Sequence, residues 1–391
     1  MNKLPGFGLV ERARALAPLI AREADAIEQT RRLTQPVVSA LIENGLYRVL
    51  LPQSVGGAEA APEIFMQMLE EVAKADASTA WCLGQCTVCA MTAAYLDAAA
   101  AREIFAAPTD ILAWGAIAHE VQVVPGGYRA TARWDFASGS RQASWLGAHV
   151  RIVEADGTPR LRPNGAPEVR TILFPVESAT MHDVWDVIGL NGTGTDSYSV
   201  DNLFIPEKFS ALRDDPTALR EKGPLYQLTT YSMFGLGFAA VSLGVARAML
   251  DAAIDLARGK ASFGLKAMRE NHAVQSAIGR TEGNLRAARA YLYATAGEVW
   301  RDLTRPGGEI TEQHRIALRL ASTWAIHQAI SVVDAAYHMA GATAIFSANK
   351  FERRFRDIHA IAQQVQARDT HYEDVGKAML GSSPEPAGKD I

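Results

Sequence analysis

Residues 341–364, GATAIFSANKFERRFRDIHAIAQQ, hold the densest chemistry in the chain. A turn of small residues leads into a cationic patch, Arg353, Arg354 and Arg356, with Asp357 and His359 among the charges and an apolar helical run behind them. Backbone N–H groups at such a turn, followed by guanidinium groups, suit an anion such as a phosphate. The same residues also fit a solvated helix face on which Glu352 and Arg356 pair at i,i+4. A second set, Cys82, Cys86 and Cys89, has the C-x3-C-x2-C spacing of an iron–sulfur site. That spacing is also one stripe of an α-helix, and the surrounding STAWCLGQCTVCAMTAAYL is small and apolar. These thiols therefore read as buried helix residues behaving as small hydrophobes, with no metal expected.

Bulk properties narrow the classes. The chain has 391 residues, 48% hydrophobic and 21% charged, which suits a soluble globular protein of two or three domains. A net charge of -4 gives no reason to expect nucleic acid or an anionic membrane as partner. No uninterrupted apolar run reaches the roughly 18 residues of a membrane span. The N-terminus, MNKLPGFGLVERARAL, lacks the apolar region of a secretory signal, and three cysteines make no disulfide framework. A cytoplasmic protein is expected.

The elements that must position these groups fall into three blocks. Residues 1–109 are helical by periodicity, with helices expected over 9–31, 33–51, 62–74 and 78–107. Residues 110–215 are rich in Val, Ile, Thr, Trp and Gly, with turn signals at Pro125-Gly126-Gly127, Asp156-Gly157 and Asn164-Gly165. They predict an antiparallel β domain. Residues 216–380 return to long amphipathic helices, over 233–258, 272–303, 311–340 and 351–367, with short connections that suggest a four-helix bundle. Residues 381–391 form a polar tail expected to be flexible. The fold class is mainly α with a central antiparallel β domain, and a cleft where the three blocks meet would suit a flat apolar cofactor.

Several ordered motifs carry a resemblance. They are Glu43-Asn44-Gly45-Leu46 with Leu51-Pro52 and Gly56-Gly57, then Asp76-Ala77-Ser78-Thr79-Ala80-Trp81, then Trp134-Asp135-Phe136-Ala137-Ser138-Gly139. Ile188-Gly189-Leu190-Asn191-Gly192-Thr193-Gly194-Thr195 and the run from 341 to 357 complete the set. Together they resemble the acyl-CoA dehydrogenase superfamily along nearly the whole chain. The W-x-F-x-S-G run at 134–139, Ala239-Ala240-Val241-Ser242-Leu243-Gly244 and FERRFRDIH at 351–359 resemble its two-component, hydroxylase-like monooxygenase branch more closely. The resemblance implies reduced FMN or FAD delivered by a separate NAD(P)H:flavin reductase. It also implies O2, a small aromatic or heteroaromatic, amine or sulfur substrate oxygenated through a C4a-(hydro)peroxyflavin, and a homotetramer built as a dimer of dimers. Alternatives are a flavin dehydrogenase or oxidase of the acyl-CoA dehydrogenase type, or a homologue that binds flavin or ligand with altered catalysis. Removal of an α-proton beside a thioester needs a carboxylate base. The positions where the family supplies one read Gln363-Gln364-Val365-Gln366 and 225–235, without Asp or Glu.

The resemblance also assigns residues. Trp114, Ala116, Trp134, Phe136 and Ser138 would face the flavin from the β domain, with Ser138 near N5. Arg258, Lys260, Ser262 and Phe263 would form the loop that grips the phosphate. Gln275 would reach the flavin of a partner subunit. Gly341, Ala342, Phe346 and Arg354 would supply the final flavin-binding segment. Gln142 and Gln364 stand where the aromatic hydroxylases of the branch carry histidines. An amide takes no proton near neutral pH, so a substrate that is already nucleophilic is expected. Ser138, Gln142, Gln364 and His371 are the candidate catalytic residues. The context of His371 favours a surface histidine over one that returns toward the site, and His359 reads as structural.

Overall fold

The computed structural model describes residues 8–116, 118–260 and 267–382. The N-terminal block contains α1 (Leu9–Thr30), α2 (Gln35–Glu43), α3 (Pro62–Ala75), α4 (Ala77–Cys89) and α5 (Ala98–Ile104). The single helix expected over 78–107 is instead broken: α4 passes into a 3₁₀ segment, Ala90–Tyr95, and Leu96 turns extended before α5. All 13 residues of α4 are buried, because α3, a bundle helix and the β domain surround it. Asp76 starts it by accepting from Thr79 N at 2.7 Å, and the three cysteines are free and buried within it.

The central block is one sheet of β1 (Leu112–Trp114), β2 (His119–Val124), β3 (Gly127–Ala137), β4 (Trp145–Val153), β5 (Val169–Pro175), β6 (Thr180–His182), β7 (Asp196–Pro206) and β8 (Ser210–Ala211). Their order is β6-β7-β3-β2-β4-β5-β8, with β1 beside β4. The sheet is mixed: β1 and β2 both run parallel to β4, and the other pairs are antiparallel. The reason is the connection from β3 to β4, which skips over β2 instead of turning back beside it. Residues 138–144 make that crossing, so Ser138, Gly139 and Gln142 sit on a topological jump. At its start the β3–β7 register slips between Trp134 and Ala137. In that bulge Phe136 takes φ 62° and turns its ring outward, 59% exposed.

The C-terminal block packs α6 (Thr230–Gly259), α7 (His272–Leu303), α8 (Glu312–Ala340) and α9 (Lys350–Ile361), followed by a short α10 (Thr370–Met379). The helix expected over 351–367 ends at Ile361, and a separate 3₁₀ turn spans Val365–Ala367. By length and composition α6 and α8 could cross a membrane. In α6, 89% of the apolar stretch is buried, as in the core helix of a bundle. Its Gly244 lets α3 come close, since a Cβ there would stand 2.6 Å from the Glu70 carbonyl oxygen.

Candidate active site

Ser138 lies at the seam between the β domain and α4. Trp81 Nε1 donates to its Oγ at 3.0 Å, and its Oγ lies 2.7 Å from Thr195 Oγ1. Thr195 Oγ1 is 2.8 Å from Thr193 Oγ1, which donates to the Leu190 carbonyl at 2.8 Å. Leu190 sits in the left-handed region, φ 56°, and its N–H donates to Asp357 Oδ1 at 2.7 Å. A motif read as a small-residue turn thus reaches Ser138 through its two threonines. Gly139 has φ 82°, and a Cβ there would stand 2.4 Å from Cys86 Sγ, so only glycine lets the crossing loop settle on α4.

From Trp81 an aromatic row runs into the bundle. Trp81 stacks on Phe238 at 3.7 Å between centroids, Phe238 on Phe234 at 5.6 Å, and Phe234 meets Trp114 edge-on at 6.2 Å. The Arg213 guanidinium covers the Trp114 ring at 5.0 Å. The next residues on this part of α6, Tyr231 and Gly235, line a cavity of about 300 Å3. Its other walls include Ser232, Arg315, Arg319, Ser322, Thr323, Gln366 and His371.

His371 is buried in that cavity and is not the surface residue its sequence context allows. Tyr231 Oη is 2.7 Å from its Nε2, and Thr323 Oγ1 is 2.8 Å from its Nδ1. Thr323 Oγ1 donates to the Gln366 carbonyl at 3.0 Å, so it accepts from His371. The imidazole therefore carries its proton on Nδ1 and accepts from Tyr231 on Nε2. Burial pushes its pKa down to about 4, so it is neutral near pH 7. Two carboxylates that sequence reading left out also line the cavity, Asp214 and Glu312. Asp214 accepts from Arg213, Thr230 N and Thr230 Oγ1, so its oxygens are occupied within the protein. Glu312 is exposed at the start of α8.

The other sequence-assigned residues divide. The Trp134 indole is wholly buried, donates to the His149 carbonyl at 3.1 Å and stacks on Tyr198 at 5.5 Å. As a side-chain contact to a cofactor it is corrected to a β-domain core residue. Trp114 is also buried, but at the end of the aromatic row. Ala116 is exposed, and its N–H donates to the Asp135 carbonyl at 3.0 Å. Gln142 turns its Nε2 into a buried corner against the Cys82 thiol and the Tyr47 hydroxyl, close to both but without a hydrogen bond of ordinary geometry among the described residues. Gln364 caps the turn after α9 by accepting from Gln366 N at 2.8 Å, and its Nε2 is likewise buried and unpartnered. Gln366, not Gln364, lines the cavity.

Lys260 Nζ donates to Thr343 Oγ1 at 2.7 Å, tying the end of α6 to the turn that begins at Gly341, φ 58°. Ala342 and Phe346 lie exposed on that segment. Arg258 pairs with Asp255 at 2.9 Å on the open surface. Gln275 donates to the Arg269 carbonyl at 2.7 Å and closes the start of α7. Ser262 and Phe263 lie outside the described residues. In the cationic patch, Arg353 pairs with Asp25 at 2.7 Å, and Arg356 pairs with Glu28 at 2.8 Å and Glu352 at 2.7 Å. Much of the patch thus clamps α9 to α1. Arg354 lines a narrow cleft with Asp76, Asp357 and Lys350, and burial lowers its pKa to about 10. His359 bonds Asp334 at 3.0 Å.

The residues present fit a flavin. Ser138 keeps hydrogen-bonding capacity beside an aromatic row, the buried Gln142 and Gln364 amides make no well-formed Nε2 hydrogen bond among the described residues, and Phe136 and Phe346 are open apolar rings. Comparison with known proteins agrees. The acyl-CoA dehydrogenase N-terminal domain family matches residues 9–104, and the acyl-CoA dehydrogenase C-terminal domain family matches residues 236–368. The chain is 28% identical to indole-3-acetate monooxygenase of Pseudomonas putida over 92% of its own length and 90% of that protein's. It is 27% identical to HsaA, the oxygenase subunit of a flavin-dependent monooxygenase of Rhodococcus jostii, over 90% and 92%. In three dimensions it matches 3-HSA hydroxylase from Rhodococcus sp. RHA1 with a TM-score of 0.89 at 25% identity, covering 96% of this chain and 98% of the other. XiaF from Streptomyces, solved with FADH2 and glycerol, shares the fold with a TM-score of 0.88 at 23% identity, over 97% and 96%.

Proposed function

We propose that this chain, which belongs to the acyl-CoA dehydrogenase superfamily and is a flavin-dependent monooxygenase, takes reduced FMN or FAD from a separate NAD(P)H:flavin reductase. Its substrate would be a small aromatic or heteroaromatic, amine or sulfur compound. When bound, the reduced flavin supplies two electrons to O2, so that one oxygen atom enters the substrate, the other leaves as water, and the flavin returns oxidised. The observation that carries the reading is Ser138, held by Trp81 and Thr195 at one end of an aromatic row that includes Phe234 and Phe238 of α6, the helix whose Tyr231 and Gly235 line the His371 cavity.

The protein's own groups divide the work. Ser138 and the row it joins orient the cofactor ring. The aromatic row excludes water. In the cavity Tyr231 would meet the substrate with its hydroxyl oxygen, and as that oxygen takes a proton from the substrate it would pass its own to Nε2 of neutral His371. Arg319 on the cavity wall is held by Asp374 at 2.7 Å, whereas Arg315 pairs only loosely with Glu312, at 3.6 Å, and suits an acidic substituent, which agrees with the name of the P. putida relative. A heteroaromatic acid is therefore favoured over a simple phenol. The assembly would be a homotetramer in the cytoplasm, with Gln275 and the exposed segment around Phe346 offered to partner subunits.

The test is an anaerobic titration of the full chain with reduced and oxidised FMN and FAD, followed by ¹⁸O₂ and a panel of indole acid, thioether, aromatic amine and phenol. One ¹⁸O atom in the product of a panel member supports the reading. Bound oxidised flavin that substrate reduces without O2 would show a dehydrogenase instead.

A further inference from the structure

Three hydroxyls stand in a row between two anchors of opposite character. At one end is the Leu190 carbonyl, 2.8 Å from Thr193 Oγ1. A carbonyl has no proton, so the Thr193 proton lies in that contact. Thr193 must then accept along its 2.8 Å contact with Thr195, and Thr195 must accept along its 2.7 Å contact with Ser138. At the other end Trp81 Nε1, which can only donate, gives its proton to Ser138 Oγ at 3.0 Å. Ser138 has one proton and two lone pairs. The proton and one lone pair are used within the row, and a single lone pair is left. Ser138, Thr195 and Thr193 are each at most 5% exposed, so solvent offers no route to reverse them.

We propose that this row sets the redox preference of the protein for its flavin. Ser138 offers the ligand an acceptor only, and Trp81, Thr193 and Thr195 are positioning residues that hold it so. The proposal rests on the reading that the flavin ring lies against Ser138. Reduced isoalloxazine carries N–H groups on its central ring where the oxidised form presents a bare nitrogen lone pair. An acceptor meets the first with a hydrogen bond and faces the second lone pair to lone pair. Asp357 supports the anchor from behind, since its Oδ1 holds the Leu190 N–H at 2.7 Å.

The experiment is anaerobic titration of the full chain with FMN and FAD in both redox states, read as the ratio of Kd values. Wild type should bind the reduced form at least about tenfold more tightly. Thr195→Val keeps the shape and deletes the acceptor, so the Ser138 proton can turn to the ligand. The ratio should fall toward one, chiefly because oxidised flavin binds better, and Thr195→Ser should restore it. Should the valine variant not fold, Thr193→Val makes the same test, because the Thr195 proton loses its acceptor and turns back to Ser138. Equal affinities in wild type, or an unchanged ratio in a folded valine variant, overturn this proposal and leave the flavin reading standing. Binding of neither redox form by wild type overturns both.

Discussion

The Ser138 row and the Tyr231–His371 pair are built alike and differ in one kind of member. Both end on a backbone carbonyl, Leu190 in the first and Gln366 in the second. Each carbonyl forces the neighbouring threonine to donate, and so gives the whole chain of hydrogen bonds a direction. In the row the far anchor is an indole N–H, and every group between is a hydroxyl that cannot titrate near neutral pH. That row can orient a ligand and cannot exchange a proton with it. In the cavity the middle member is an imidazole whose Nε2 lone pair accepts from the Tyr231 hydroxyl, so that chain can take up a proton. One region orients and the other can move charge, and a single change of side-chain type separates them.

Removing the orienting group should have the largest effect. Ser138→Ala should lower product formed per reduced flavin consumed by on the order of 100-fold, measured on the best panel substrate. His371→Gln keeps an acceptor for Tyr231 and a donor for Thr323 but cannot take a proton. It should lower kcat by on the order of 100-fold with KM changed by less than about threefold, whereas a merely structural His371 would leave kcat intact.

The two regions also respond to pH in opposite directions. Folded His371 stays neutral down to about 4, while an unfolded histidine protonates near 6.5. The unfolded chain binds more protons in that window, so this residue removes stability as pH falls from about 6.5 to 4. Asp357 runs the other way. Burial, ahead of its backbone bond to Leu190, raises its carboxyl to about 7, with Asp76 and Glu28 adding repulsion and Arg353 opposing it. The folded state then binds more protons between about 4 and 7, and stability is lost as pH rises through that range. Asp357→Asn keeps an acceptor for the Leu190 N–H without the charge. It should raise stability at pH 8 by on the order of 4 kcal/mol and leave it unchanged below pH 4, as followed by urea unfolding. A Ser138 row that loosens in this variant, seen as a fall in the redox preference for flavin, would show that the charge and not only the hydrogen bond holds the anchor. The smallest effect belongs to Arg258→Ala, which breaks an ion pair 73% exposed on both sides and should change stability by less than about 0.5 kcal/mol.

Much of the architecture was legible in the residues, since helical period, strand composition and turn signals are local properties. The site was legible in parts. Ser138 and Trp81 stood in quotable motifs, while Thr193 and Thr195 were visible only as members of a small-residue turn. Tyr231 and Thr323 gave no signal, because each is an ordinary helical residue until the start of α6 and the middle of α8 close on the segment that carries His371. Trp134 was assigned to the cofactor by the resemblance of its motif, and a motif does not say which of its side chains the fold turns into the β-domain core, where this indole lies. The mixed sheet was out of reach too, because the strands are encoded locally and the jump from β3 over β2 to β4 is a tertiary choice.

The sequence by itself determined the blocks, the apolar thiol stripe of α4 and the Glu352–Arg356 pair. Tertiary structure alone decided which way hydrogen bonds point and which groups lose water. Leu190 and Gln366 contribute through carbonyls that every residue has, and what distinguishes them is the hydroxyl that folding places against each. Burial then decides the protonation of His371 and Asp357, since desolvation depends on the neighbours a group acquires and not on its place in the chain.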